Sequence, residues 1–230
     1  MKKILYSLLI AGLGLAIISC ASSDDSTNTS GSTSSTSTTT KSYVSVGASG
    51  TILTSSDGSS WTSRTSGTSN TLNGVTSGNS ILAAVGTSGT ILTSSDGITW
   101  TSRTSGTTRS LFGVTYGNNT FVTVGGWDIG TILTSTDGST WTTLTTSGSW
   151  WNRPSVFYDV TSDGDGLYAG TNRGACKWNW QYQFQDCVSS QDGLESRFVY
   201  TIEMLAPDRA YTGGNSGAGI VNMDNFSVIE

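Results

Sequence analysis

Three short segments of this 230-residue chain are best suited to hold a ligand, because each combines aromatic or amide side chains with charge. Their members are Trp127 and Asp128; Trp150, Trp151 and Arg153; and Asn172 and Arg173. Indole rings offer large apolar contacts, while arginine, aspartate and asparagine fix orientation through hydrogen bonds. This mixture suits recognition of a sugar, a peptide or the edge of a protein. The alternative interpretation is that the three tryptophans cap an apolar core.

Composition excludes several other kinds of chemistry. The chain has no histidine, which excludes imidazole bases, Ser–His and Cys–His pairs, and zinc sites with histidine ligands. Eleven lysines and arginines stand against 16 aspartates and glutamates, which argues against a nucleic-acid partner. The segment 163–166, Asp-Gly-Asp-Gly, resembles part of a calcium loop but lacks the later ligands, so we interpret it as a turn. We expect no metal and no cofactor.

The candidate residues must be positioned by a repeated unit, which makes up most of the chain. Residues 47–68 and 86–107 are identical at 19 of 22 positions, and a third copy starts at Gly126. A period near 40 with four short β-type runs per unit is typical of a propeller blade. We therefore predict an all-β fold, a small β-propeller of about five four-stranded blades. The predicted domain is 43–230, with units at about 43–68, 69–107, 108–148, 149–190 and 191–230. The first unit lacks a first strand, unless the Ser/Thr-rich segment before it supplies one.

One motif recurs in the first three units and reads Ser-Ser-Asp-Gly-Ser-Ser-Trp in the first of them. Its key residues are Asp57, Gly58 and Trp61; Asp96, Gly97 and Trp100; and Asp137, Gly138 and Trp141. The motif resembles a variant, one residue shorter, of the Asp box of BNR-type propellers, found in sialidases, sortilin-type receptors and relatives of the photosystem II assembly factor. The resemblance implies a structural role between the third and fourth strands, away from any active site. There the carboxylate accepts turn N–H groups and the tryptophan packs on apolar surface.

The resemblance to sialidases keeps a surface glycan hydrolase as an alternative. That family needs three arginines, a Tyr–Glu pair, an aspartic acid and an early Arg-Ile-Pro, and this chain contains no Arg-Ile-Pro. Arg64 and Arg103 occupy equivalent repeat positions, so they are poor candidates for members of the set of three arginines. Asp159 and Glu203 lie on predicted first strands and keep a carboxylate pair open. We predict that the protein is not an enzyme.

Cys176 and Cys187 are predicted to form a disulfide. Alignment of the fourth unit with the first places them on the third and fourth strands of one blade, and an exported pair on adjacent strands indicates a disulfide. Aromatic and polar residues alternate between the two cysteines over 178–185. This alternation favours aromatics that face the core. An exposed aromatic platform is the alternative.

The N-terminal segment has the features of an export signal. Lys2 and Lys3 precede an apolar run that ends in Ile-Ile-Ser-Cys at Cys20. This ending resembles the lipobox of bacterial lipoproteins, which implies a signal peptide over 1–19 and a lipid on Cys20 that anchors the protein in a membrane. The following residues to 42 are mostly serine and threonine, and we predict a disordered linker over 20–42. We expect an exported protein of the bacterial cell envelope, at the outer membrane or cell surface.

Together these features predict a non-catalytic, lipid-anchored propeller that presents a binding or assembly face to a protein or glycan partner. The ligand segments fall in loops between second and third strands and in loops between blades, which share one face of a propeller. A purely structural surface repeat protein is a further alternative.

Overall fold

Short aliphatic and β-branched runs form the strands of this protein, and the Gly-, Asn-, Ser- and Asp-rich linkers between them form its turns. The computed structural model describes residues 21–22, 43–127, 130–144, 156–188, 198–214 and 216–229. These residues form five antiparallel sheets, each of four strands consecutive in the chain. The predicted all-β propeller of five four-stranded blades is confirmed. No helix within these ranges is long and apolar enough to cross a membrane.

The strands are numbered in chain order. Sheet 1 contains β1 Ala21–Ser22, β2 Tyr43–Val46, β3 Ile52–Ser55 and β4 Thr62–Arg64. Sheet 2 contains β5 Leu72–Gly78, β6 Ile81–Gly86, β7 Ile91–Ser94 and β8 Thr101–Arg103. Sheet 3 contains β9 Leu111–Gly117, β10 Thr120–Gly125, β11 Thr131–Ser135 and β12 Thr142–Thr143. Sheet 4 contains β13 Phe157–Ser162, β14 Leu167–Thr171, β15 Gly174–Trp178 and β16 Phe184–Val188. Sheet 5 contains β17 Val199–Ala206, β18 Arg209–Gly214, β19 Gly217–Asn222 and β20 Ser227–Ile229.

The first strand of sheet 1 comes from the segment that the sequence assigns to the linker. Ala21 pairs with Val44 and Ser22 with Tyr43, in antiparallel register. Of the two alternatives for the first unit, the structure therefore has the one in which the Ser/Thr-rich segment supplies the missing strand. This strand has two residues, whereas the first strands of the other sheets have six to eight.

Consecutive sheets pack face to face, and each sheet has a forward face toward the next sheet and a back face toward the previous one. Val46 and Ile52 lie opposite each other on the forward face of sheet 1. They share a buried cluster with Leu72 and Leu92 of sheet 2. The same arrangement recurs between sheets 2 and 3, where Trp141 joins the cluster. Apolar burial between sheets thus provides the core.

The disulfide between Cys176 and Cys187 is confirmed. The two residues lie directly opposite each other on β15 and β16, with their Cα atoms 4.0 Å apart. The aromatic residues between them pack on the buried cluster shared by sheets 3 and 4; they are Trp178, Trp180, Tyr182 and Phe184. The structure therefore has the core-facing arrangement and not the exposed aromatic platform.

Candidate functional site

Two sets of loops lie side by side on one face of the molecule, which we call the loop face. One set joins the second and third strands of each sheet, and the other joins consecutive sheets. The backbone N–H of Thr87, in the first set, donates to the Thr71 carbonyl in the second, at 2.9 Å. Gly126 donates to Ser110 in the same way in the next repeat, at 3.0 Å. In sheets 2 and 3 the two sets of loops are therefore joined by backbone hydrogen bonds.

A tight turn fixes the first set of loops in sheets 1 and 2. Gly89 has φ +69°, and a Cβ atom there would collide with the backbone carbonyl of Thr107 in the neighbouring inter-sheet loop. Gly50 has the same φ and the same relation to Thr68. Only glycine meets both requirements, because it reaches positive φ without strain and has no Cβ. The repeated Ser-Gly-Thr sequence thus holds the two sets of loops in contact.

The first strands of sheets 2 to 5 carry a β-bulge at the same repeat position, next to the loop face. The pairing register with the second strand skips Asn73 in sheet 2. It skips Phe112, Tyr158 and Tyr200 in sheets 3, 4 and 5. A bulge leaves one residue out of the ladder and redirects its side chain. The four equivalent bulged residues lie on successive first strands that are in contact. Asn73 is buried, and its side-chain amide donates to the Leu111 carbonyl at 2.7 Å.

Three of these bulged residues are aromatic, and with Trp127 they form a surface that we call the aromatic rim. The rings of Phe112 and Trp127 meet edge to face, with centroids 4.9 Å apart. Those of Tyr158 and Tyr200 do the same at 4.7 Å. Trp127 is 68% exposed, and Tyr200 is also exposed. Burial, and to a lesser degree the neighbouring Tyr200, raises the pKa of Tyr158, so its hydroxyl remains a neutral hydrogen-bonding group. The rim offers apolar edges and phenol hydroxyls to a ligand.

Asp159 lies directly behind the rim and ties sheets 4 and 5 together. One carboxylate oxygen accepts the Val160 N–H at 2.8 Å. The other accepts the Ile202 N–H at 3.1 Å and the Thr201 hydroxyl at 3.2 Å. The residue as a whole is half-buried, but its carboxyl group is surrounded by protein atoms, and this desolvation raises its pKa to about 6. The hydrogen bonds it accepts act in the opposite direction and limit the rise.

The structure describes three of the seven residues predicted to bind a ligand. Trp127 lies on the rim. Asn172 and Arg173 form the turn between β14 and β15 on the same loop face. The Asn172 backbone N–H donates to the Val156 carbonyl at 3.3 Å, and its side-chain oxygen accepts the Val156 N–H at 3.4 Å, so Asn172 joins the two sets of loops. The other predicted residues lie outside the described residues; they are Asp128, Trp150, Trp151 and Arg153, together with the lipidation residue Cys20.

Sequence reasoning missed Phe112, Tyr158 and Tyr200. All three occupy the repeat position of Asn73, the second residue of the first strand. A change from asparagine to aromatic residues at one repeat position in three successive units was visible in the sequence. This change could not be interpreted without knowledge of the bulge, because regular alternation alone does not predict a redirected side chain.

The three motif aspartates lie in turns between third and fourth strands, away from the loop face. One oxygen of Asp57 accepts the Ser59 and Ser60 N–H groups, both at 2.8 Å. Asp96 and Asp137 make the same pair of bonds. These backbone N–H groups lower the pKa of all three carboxyls, to about 2 for Asp96. The expected turn hydrogen bonds are therefore present in each copy. The predicted turn at 163–166 is present too, with two N–H groups bonded to one Asp163 oxygen.

Two shallow, open depressions lie beside the loops between sheets 1 and 2 and between sheets 2 and 3. Each includes the fourth-strand arginine of the preceding sheet, Arg64 or Arg103. Both arginines bind within their own sheet, since Arg64 Nε donates to the Thr54 hydroxyl at 2.8 Å and Arg103 Nε to the Thr93 hydroxyl at 2.7 Å. The rim aromatics line neither depression.

The comparisons with known proteins establish the fold alone. No protein-family model matches the chain, and no curated protein matches it. Among solved structures, it is similar to the WD40 β-propeller domain of Doa1, with a TM-score of 0.63 and 15% identity over 82% of this chain and 64% of that one. It is similar to YCF48 bound to a D1 peptide, with a TM-score of 0.58 and 19% identity over 82% of this chain and 62% of that one. It is also similar to a chain of a nidogen/laminin complex, with a TM-score of 0.66 and 12% identity over 93% of this chain and 78% of that one. The chain spans less than two thirds of the length of the first two.

Proposed function

We propose that this protein is a non-catalytic binding protein whose aromatic rim recognises an extended segment of a partner protein. The observation that carries the proposal is the bulge repeated in four successive sheets, which places Phe112, Tyr158 and Tyr200 side by side, together with the exposed ring of Trp127. Large, rigid aromatic side chains supply much of the binding energy at protein interfaces. The apolar surface that these side chains expose to water is unfavourable in the free protein, and its burial against a partner would contribute to the free energy of binding.

A binding role agrees better than a catalytic one with the state of Asp159. A carboxylate that acts as acid, base or nucleophile must reach the substrate. Both oxygens of Asp159 are already occupied by N–H and hydroxyl donors from the first strands of sheets 4 and 5. We assign to Asp159 a structural role behind the rim.

Two of the similar structures support a protein as the partner class. One is described as YCF48 bound to a D1 peptide, and another as a complex of nidogen with laminin. Their propeller-like folds are thus compatible with peptide and protein ligands.

We further propose that the protein works outside the cytoplasm, anchored by a lipid on Cys20. The Cys176–Cys187 disulfide supports this placement, since disulfides persist in oxidising compartments. The Ile-Ile-Ser-Cys ending supplies the attachment residue. In this arrangement the loop face meets partners in the cell envelope.

The test of the binding function is selection of random linear peptides displayed on phage against the purified full chain, followed by fluorescence anisotropy with one selected peptide. We expect Trp127→Ala and Tyr200→Ala each to weaken binding at least about tenfold, as for anchor residues in interfaces. Ile98→Ala is the matched control, because Ile98 is an exposed apolar residue in a turn on the opposite face. It should bind like the wild type.

Equal binding by the rim variants and the wild type would contradict the proposal, as would failure to enrich any peptide. Binding to a glycan array that is lost in Trp127→Ala, without enrichment of any peptide, would overturn the protein partner in favour of a glycan. Thermal melts of each variant must match the wild type for the comparison to hold.

A further inference from the structure

The two open depressions beside the inter-sheet loops each contain an arginine that is held in place by its own sheet. Arg64 and Arg103 are half-buried and occupy the same position in two successive repeats. The Nε atom of each donates to a buried threonine hydroxyl, that of Thr54 at 2.8 Å and that of Thr93 at 2.7 Å. A guanidinium group has five N–H donors, so one such hydrogen bond orients its plane and leaves the Nη groups to bind a ligand.

Positive charge in the two depressions is not neutralised by any carboxylate among the described residues of sheets 1 to 3. The acidic residues there are Asp57, Asp96 and Asp137, which lie in turns on the opposite face and accept N–H groups of those turns. A second arginine, Arg109, lines the depression between sheets 2 and 3. The chain has a formal net charge of −5, yet both depressions are lined by arginine, glycine, serine and threonine alone.

The fold itself does not require an arginine at this repeat position. In sheet 3 the equivalent residue is Leu144, whose backbone N–H donates to the Ile132 carbonyl at 2.8 Å. The Leu144 side chain packs on the apolar cluster shared by sheets 3 and 4. An apolar residue therefore suits the architecture. The arginines of sheets 1 and 2 add a charge that the packing of a sheet does not need.

We propose that the two depressions are carboxylate-binding sites, which hold acidic side chains of the segment that the aromatic rim recognises. Guanidinium groups bind carboxylates through charge-assisted hydrogen bonds, which are often bidentate. The serine and threonine hydroxyls around each arginine can donate to the same anion. The choice of a protein segment as ligand rests on the function proposed for the rim, whereas the two anion sites depend on the depressions alone.

The position of the depressions relative to the rim predicts the order of residues in the ligand. Both depressions are lined by residues of the loop face, and Arg109 precedes the rim residue Phe112 by three positions. An extended segment that crosses sheets 1 to 3 would meet the two arginine sites one after the other before it reaches the aromatic rings. We therefore expect its acidic residues to lie on one side of the residues that contact the rim.

The experiment measures binding of fluorescein-labelled tetraglutamate to the full chain by fluorescence anisotropy, with tetraglutamine as the uncharged probe. We expect the wild type to bind tetraglutamate, less tightly as potassium chloride is added, and to bind tetraglutamine far more weakly. Arg64→Leu and Arg103→Leu introduce the residue type of the third repeat. Each should weaken tetraglutamate binding about three- to fivefold, and the double variant about tenfold, as for partly exposed ion pairs.

Arg209→Leu is the matched control for these variants. It removes the same charge from an exposed arginine that lies next to Asp208 in a turn on the opposite face. It should bind tetraglutamate like the wild type. Trp127→Ala should also leave tetraglutamate binding unchanged, because the rim does not line the depressions.

Absence of tetraglutamate binding would overturn the anion sites, and so would binding that the double arginine variant retains or that Arg209→Leu loses equally. Arginine-dependent binding to vesicles of phosphatidylcholine and phosphatidylglycerol in equal parts, without binding to tetraglutamate, would replace the protein ligand by a lipid headgroup. All variants are compared below their melting temperatures, so loss of folding is not read as loss of binding.

The outcomes for the sites and for the rim can be told apart. Selected peptides that need Trp127 but carry no acidic residues would overturn this inference and leave the function proposed for the rim in place. Arginine-dependent binding of tetraglutamate, together with failure to select any rim-dependent peptide, would support the anion sites and contradict that function.

Discussion

Removal of the buried charge at Asp159 should change how the stability of the fold depends on pH. The folded-state pKa of about 6 lies above the ordinary 3.8, chiefly because the carboxyl group is desolvated. Between about pH 4 and pH 6 the native protein therefore holds a proton that the unfolded chain has lost, and the free energy of unfolding falls as pH rises through this window. At about 1.4 kcal/mol for each tenfold change in proton affinity, the full effect is about 3 kcal/mol. About 2 kcal/mol of it separates pH 4.5 from pH 7.

The assay is urea denaturation of the wild type and Asp159→Asn at intervals between pH 4.5 and pH 7. The wild type should lose about 2 kcal/mol of unfolding free energy over this range, and the neutral variant should lack that component. The variant's absolute stability also reflects the N–H partner that the amide cannot accept, so the slope is the diagnostic quantity. Asp165→Asn, an exposed aspartate in a turn of the same sheet, controls for loss of a negative charge. Parallel pH profiles for the wild type and Asp159→Asn would show that the carboxyl group is not desolvated as described.

Three further predictions concern the disulfide, the loop glycine Gly89 and the lipid anchor. Replacement of both Cys176 and Cys187 by alanine should lower the free energy of unfolding by about 2–3 kcal/mol in chemical denaturation, and most of this change should disappear if the comparison is made under reducing conditions. Gly89→Ala should prevent sheet 2 from forming, seen as loss of the cooperative thermal transition, whereas Gly106→Ala, with similar φ but open space around a new Cβ, should cost only about 1 kcal/mol. Cys20→Ala should leave an unlipidated precursor and shift the protein out of the membrane fraction, and an unmodified Cys20 in the intact mass of the wild type would refute the anchor.

The regular part of the fold was predictable because its determinants are local. A period near 40, alternating aliphatic runs and Asp-Gly turns each depend on residues close in sequence, and they fixed the sheet count and strand order. The Cys176–Cys187 pair was predictable for the same reason, since its partners lie on adjacent strands. The strand at Ala21–Ser22 was not, because its pairing spans a polar segment with no aliphatic pattern.

The candidate site was predicted only in part. Trp127 stood out because its loop is longer than the equivalent loop of the second unit. The partners that position it were hidden, since a bulge depends on pairing geometry that alternation does not encode. Asn172 was correctly placed on the loop face, but its hydrogen bonds to Val156 give it a part in holding the loops that residue type alone does not reveal.

The near identity of residues 47–68 and 86–107 has a consequence for how this protein can change in length. A deletion or duplication that begins and ends at matching positions of these two stretches would remove or add one complete unit without disturbing any turn. The new junction would still place a valine–isoleucine forward face against a leucine and tryptophan back face, because every unit concerned carries the same pattern. Stability in such arrays is close to a sum over neighbours. The number of sheets is therefore a trait that evolution can adjust in whole steps, while the loop face grows or shrinks with it.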